Sequence, residues 1–278
     1  MRLTIKNIVV NLLLLLITQS SFAQNENNLV QDSIIPLDND KGFAWDMSFA
    51  FKTMNVFRGL LPSRAPVLST QAGFKAGSFV LGAYGGASFN GGYTETDLIL
   101  MYYRPKFYIR ADWYYNFTEG ITNIPTPSGF FDFRPDITRG LLDFMVKVKP
   151  LKNVELMSST FLYGRDRPPL PEDDAAGIPL RRGEQRYSQY FKLQYNWIKD
   201  RFKISAHAGY SFSWNDPSGE TFYAGNPGFT DLGVSFYRKI VDTESISIPF
   251  KASLYWNTVS NDVYLVGSIL LVEITQLK

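Results

Sequence analysis

The stretch Phe107-Tyr108-Ile109-Arg110-Ala111-Asp112-Trp113-Tyr114-Tyr115-Asn116-Phe117 alternates from end to end. Its odd positions are Phe, Ile, Ala, Trp, Tyr and Phe, while Arg110, Asp112 and Asn116 fall among the even ones. Successive side chains of a strand point to opposite faces, so this segment offers one face to oil and the other to water; a helix would mix the two sets. From Arg201 to Trp214 the same rule sets Phe202, Ile204, Ala206, Ala208, Tyr210, Phe212 and Trp214 against Lys203, Ser205, His207, Gly209, Ser211 and Ser213. Segments 43–51, 185–197 and 245–256 repeat it. Each approaches or exceeds the ~9–11 residues of a tilted membrane strand.

Working outward, the pattern predicts strands over 43–57, 67–76, 78–89, 93–103, 106–117, 139–149, 153–163, 185–197, 201–214, 230–239, 245–256 and 263–274. The count is about twelve, even as in bacterial single-chain barrels. Connection length gives an independent check. Those after the second, fourth, sixth, eighth and tenth strands are short: Gly77, 104–105, 150–152, 198–200 and 240–244. Those at 58–66, 118–138, 164–184 and 215–229 are longer and rich in Pro and Gly, while 90–92 and 257–262 are the short members of that set. Short periplasmic turns and longer outer loops are the expectation for an antiparallel transmembrane β-barrel over 42–278. A soluble β-sandwich also alternates and turns often, but aromatics gather near the segment ends, as Phe107 with Tyr115 and Phe117 do, in the manner of interfacial girdles.

Composition fits. Aromatics are 15% of the 278 residues, with 16 Tyr and 22 Phe, and the mean hydropathy of −0.11 is too polar for helical spans. A net charge of +2 without a basic run gives no reason to expect nucleic acid. Arg2 and Lys6 precede an apolar run from Ile8 to Ile17, and Ser21-Phe22-Ala23 carries small residues before Gln24. This reads as a secretory signal over 1–23, cut after Ala23, followed by a polar periplasmic lead-in over 24–41. The run is too short for the ~20 residues of a spanning helix. With zero Cys, disulfides, thiolate metal sites and a cysteine-borne lipid anchor are excluded. The expected location is the outer membrane, with lipid and lipopolysaccharide outside the wall, small solutes inside it, and no cofactor.

If the apolar face meets lipid, the other lines the lumen. That places Asp46, Lys52, Arg110, Asp112, Asp143, Lys147, Glu155, Arg186, Lys192, Lys203, His207, Asp231 and Lys251 inside, with charges of both signs alternating around the wall. Two outcomes are open. The charges can line a hydrated passage whose field selects solutes, or pair across strands and close the lumen into a polar core. His207, the single histidine, shares its face with Ser205 and Ser211, and the set resembles outer-membrane phospholipase A, a barrel with a closely spaced His and Ser. That enzyme's site faces lipid, whereas His207 falls on the lumen face with no acid evident in the sequence to orient it. The run Glu172-Asp173-Asp174 reads as a loop tip or a weak divalent-cation contact. Arg167-Pro168-Pro169-Leu170-Pro171 with Arg181-Arg182 reads as an exposed outer loop, with an inward constriction or contact to lipopolysaccharide phosphates as alternatives.

Met54-Asn55-Val56-Phe57-Arg58-Gly59, then Pro66-Val67 and Gln71-Ala72-Gly73, resembles the opening of the TorF family of porins, and Glu95-Thr96-Asp97 is similar to that family's acidic strand start. Asn55 stands where the family often has an aromatic. The resemblance implies an outer-membrane barrel in which Arg58 and Gln71 are the matching positions, and it adds Arg58 to the lumen set. The expected function is a porin-like channel for passive diffusion of small solutes, not an enzyme. A closed structural or adhesive barrel, or a lipid-modifying enzyme using His207, stands as the alternative.

Overall fold

A computed structural model describes residues 43–118, 128–168, 182–199, 202–223, 225–242 and 247–273. The expected signal peptide, the lead-in and the Glu172-Asp173-Asp174 run lie outside the described residues. Twelve strands close into one antiparallel barrel: β1 (Phe43–Lys52), β4 (Val67–Ala76), β5 (Phe79–Ser88), β6 (Thr94–Arg104), β7 (Phe107–Asn116), β8 (Gly140–Leu151), β9 (Val154–Gly164), β10 (Ser188–Lys199), β11 (Phe202–Ser213), β12 (Gly228–Asp242), β13 (Ser247–Asn257) and β14 (Asp262–Glu273). Each pairs with its sequence neighbour, and β1 meets β14 to seal the ring, which leaves no sheet edge open.

Register follows the predicted phase. In β7 against β8, Arg110 faces Met145, Asp112 faces Asp143 and Tyr114 faces Leu141 on the inner side. The outer side carries exposed Trp45, Phe74, Leu81, Leu100, Leu193, Tyr195, Trp197, Leu254 and Leu265. Such a continuous apolar exterior would be unstable in water and suits hydrocarbon. Trp113 and Tyr115 belong to this face yet are buried, because 128–133 folds back over them. Trp113 donates its indole N–H to the Phe130 carbonyl at 3.2 Å, its ring lies 5.0 Å from that of Phe133, and Tyr115 bonds Ser128. Phe131 and Phe133 then take over the exposed aromatic surface.

One segment departs from expectation. The first predicted strand, 43–57, stops at Lys52, and the expected outer loop 58–66 does not face outside. Residues after Thr53 form a separate hairpin, β2 (Asn55–Phe57) and β3 (Leu60–Ser63). Phe57 pairs with Leu60, leaving Arg58-Gly59 as a two-residue turn in which both φ values are positive, 52° and 86°. Positive φ at both central positions is the type I′ signature, whose twist matches a hairpin. Glycine accepts this freely, and arginine does so at a cost of about 1–2 kcal/mol. That cost is offset by what the arginine reaches inside the barrel.

An arginine inside the barrel

The hairpin crosses the lumen. Around the ring, β9 stands six strands from β1 in either direction (β14, β13, β12, β11, β10, β9 one way; β4, β5, β6, β7, β8, β9 the other). Arg58, carried between β1 and β4, bonds residues of that opposite wall. Its Nη2 lies 2.6 Å from Asp143 Oδ2 in β8. Its Nη1 donates to Ser159 Oγ in β9 at 2.5 Å and to the Tyr223 hydroxyl at 2.7 Å. Ser159 and Tyr114 in turn donate to Asp143, at 2.5 and 3.1 Å. The guanidinium also sits 4.7 Å from the Phe57 ring centroid and 5.3 Å from that of Tyr190. Asp143 is fully buried, so the pair is a desolvated one. Its charges are tolerable only because every one of these partners is in place.

Around this pair the interior is apolar. Tyr114, Leu141, Phe161, Tyr190 and Tyr223 form one buried cluster, with Phe57, Leu60, Met157 and Phe222 packed against it. Asn257 donates its side-chain amide to the Gly59 carbonyl at 3.1 Å, and a Cβ at Gly59 would overlap the Thr230 backbone carbonyl. The turn is thus seated between opposite walls. Tyr223 is delivered by a chain of contacts at the rim that bears the longer connections: Asp166 accepts from the Ser188 amide at 2.7 Å and its hydroxyl at 2.8 Å, and Ser188 Oγ accepts from the Phe222 amide at 2.8 Å.

Burial lifts the Asp166 carboxyl to about 6, although the two Ser188 bonds and Arg186 favour its charged form. A folded value above the ordinary carboxylate value means that the folded state holds the proton more tightly. The associated stability is fully present below about pH 4 and is lost as the pH rises through 6. The upper bound is about 3 kcal/mol at ~1.4 kcal/mol per unit. The denaturation midpoint of the wild type, followed from pH 4 to 7, is expected to fall relative to that of Asp166→Asn; parallel curves would contradict this.

The remaining lumen candidates form smaller groups. Arg110 and Asp112, two apart on one face of β7, make a two-point pair at 2.6–2.8 Å. Lys147 meets Glu155 at 2.9 Å, and Asn196 donates to Glu155 while accepting from Ser205. Arg186 is not on the strand wall. It lies before β10, bonding Asp216 at 2.8 Å and Glu220 at 2.6 Å at the rim. The side chain of Asp46 lies outside the described residues. Lys52, at the end of β1, is half-buried.

Asp231 orients His207, which the sequence alone did not reveal. His207 Nε2 lies 2.9 Å from Asp231 Oδ1, and Tyr190 donates to Asp231 Oδ2 at 2.6 Å. A Cβ at Gly233 would press on the imidazole, so glycine there makes room for it. The electrostatic neighbours of this pair include Lys192, and those of His207 include Lys251. Ser205 is engaged with Asn196 instead.

Carboxylates and lysines share depths along the inner wall: Glu155 pairs with Lys147 near the short turn between β8 and β9, and Lys192 lies four residues from the β10 end that meets a longer connection. Tyr223, Ser159, Asp166 and Ser188 were not singled out in the sequence, because a lone Ser or Tyr on a polar face carries no signal of what stands across a lumen.

No known protein family matches the chain, and neither does any curated protein. Among solved structures, KdgM porin is similar over 82% of this chain and 99% of its own, at 7% identity and a TM-score of 0.40. OccAB4 of Acinetobacter baumannii is similar over 81% of this chain and 56% of its own, at 14% identity and a TM-score of 0.34. Likeness at this level bears on neither substrate nor mechanism.

Proposed function

We propose that the protein is an outer-membrane channel for passive diffusion of small solutes, with its cross-section set by the Arg58 hairpin and no turnover chemistry. The observation that carries this reading is the closed ring with an apolar exterior and a charged inner wall, crossed by the Arg58 hairpin. A permeation path uses lysines and carboxylates on its wall to select solutes. The signal peptide cut after Ala23 and the TorF reading, with Arg58 and Gln71 at its matching positions, belong to the same proposal.

Planar-bilayer recording of the refolded protein is the test. Discrete conductance is expected, rising when the hairpin is unseated. Silence from both the wild type and hairpin-displaced variants that keep heat-modifiable gel mobility would overturn it.

The seated hairpin itself favours a second reading, a permanently closed barrel whose outer loops bind a surface. It predicts no conductance and loss of adhesion when 118–138 or 164–184 is removed. The lipid-enzyme reading uses His207, now seen with an orienting carboxylate. His207→Ala is nevertheless expected to leave esterase activity and the lipid profile unchanged, because Ser205 is bonded elsewhere and the imidazole faces inward.

A further inference from the structure

Three arginines meet at the outer rim, on the two arms of the connection between β9 and β10. Arg167 Nη1 donates to the Gly183 carbonyl at 3.1 Å. Arg182 Nη1 donates to the Thr138 carbonyl at 2.7 Å. The Arg165 guanidinium lies 5.2 Å from the Phe222 ring centroid. These contacts fix each side chain yet leave buried donors idle: Nε of Arg165, Nε of Arg167 and Nη2 of Arg182 have no hydrogen-bond partner. Buried polar groups are nearly always satisfied, and a bound ion is one of the partners that accounts for an exception.

The electrostatics agree. Burial, and then the charges of Arg165 and Arg167, bring the Arg182 guanidinium down to about 10, so Arg182 stands in the field of both other cations. Asp136 acts on Arg182, and Glu95 and Asp97 act on Arg165. Asp166, between two of the arginines in sequence, turns its carboxylate to Ser188. Among the described residues, no ion pair within 4 Å neutralises any of the three. Two cations held on backbone carbonyls and a third over an aromatic ring, each with a spare donor, call for an anion with several acceptor oxygens.

We propose that Arg165, Arg167 and Arg182 form a binding site for a phosphate group at the outer mouth of the barrel. A tetrahedral dianion offers enough oxygens to engage three guanidinium groups, whereas a carboxylate offers two. The phosphate is either that of a soluble phosphomonoester or that of a lipopolysaccharide headgroup. The site stands on its own geometry and does not require the barrel to conduct.

Calorimetry on the full-length protein refolded in detergent tests it, with inorganic phosphate, glycerol 3-phosphate, acetate and lipid A micelles as titrants. Phosphate binding is expected, at least tenfold weaker in Arg167→Gln/Arg182→Gln and at least tenfold tighter than acetate. Binding of the soluble phosphates marks a solute site. Binding of lipid A alone, lost on its dephosphorylation, marks a headgroup site. Gel mobility confirms that each variant is folded, and Arg182→Gln alone serves if the double variant is not. Absence of binding by every phosphate, or equal affinity in wild type and a folded variant, overturns the proposal whether or not the channel conducts.

Discussion

Arg58→Ala is expected to cost about 3–5 kcal/mol, the usual result of removing one partner of a buried ion pair. The reason lies with what remains. Asp143 has no exposed surface and would keep two hydroxyl donors, Ser159 and Tyr114, but no positive charge at bonding distance. The figure is a ceiling, because the hairpin can lift away and admit water to the carboxylate. In that case the loss appears as raised bilayer conductance more than as a lower denaturation midpoint. Asp143→Asn in the same background removes the stranded charge, so the double variant should be more stable than Arg58→Ala alone. A midpoint and conductance unchanged from wild type would show that the guanidinium does not hold the hairpin.

Gly59→Ala should displace the hairpin without opening the ring. The residue has φ +86°, and its Cβ would enter the Thr230 backbone carbonyl, which cannot step aside without breaking β12. Backbone strain alone is worth about 1–2 kcal/mol, and the overlap adds to it. The seated geometry is therefore lost while the twelve-strand pairing stands. Expected results are heat-modifiable mobility like wild type, new protease sensitivity within 53–66, and larger conductance. Gly77→Ala is the control: its φ is +58°, but a Cβ there meets nothing within 4 Å. It should carry the backbone cost alone and leave conductance unaltered. Equal behaviour of the two variants would refute a hairpin wedged against Thr230.

Much of the wall was legible because strand phase is a local property. Phe107 to Phe117 declares its two faces from eleven consecutive residues, and the structure pairs β7 in that phase. The alternating short and long connections likewise needed only counting. The first strand was over-extended because Met54, Val56 and Phe57 keep the stretch apolar beyond Lys52, although the phase slips there from the odd positions of Phe43 to Phe51. The Arg58-Gly59 turn is an unusual two-residue hairpin loop, since arginine at positive φ is costly and seldom expected.

The inner face was harder. Leu141, Phe161 and Tyr190 sit on it together with Asp143, Ser159 and Asp231, so a simple division into oil and water faces fails where the lumen is packed. His207 and Asp231 are 24 residues apart and meet only because β11 pairs with β12, with Gly209 opposite Asp231 and His207 opposite Gly233.

By itself, the sequence determined an all-β chain with two-faced strands, their count, and which connections are short, since all of these follow from the period of two and from turn chemistry over a few residues. Only the tertiary structure decided that Arg58 meets Asp143 and that the lumen is crossed. Those contacts join residues on opposite sides of a closed ring, and ring closure is a non-local property that no window of the chain contains.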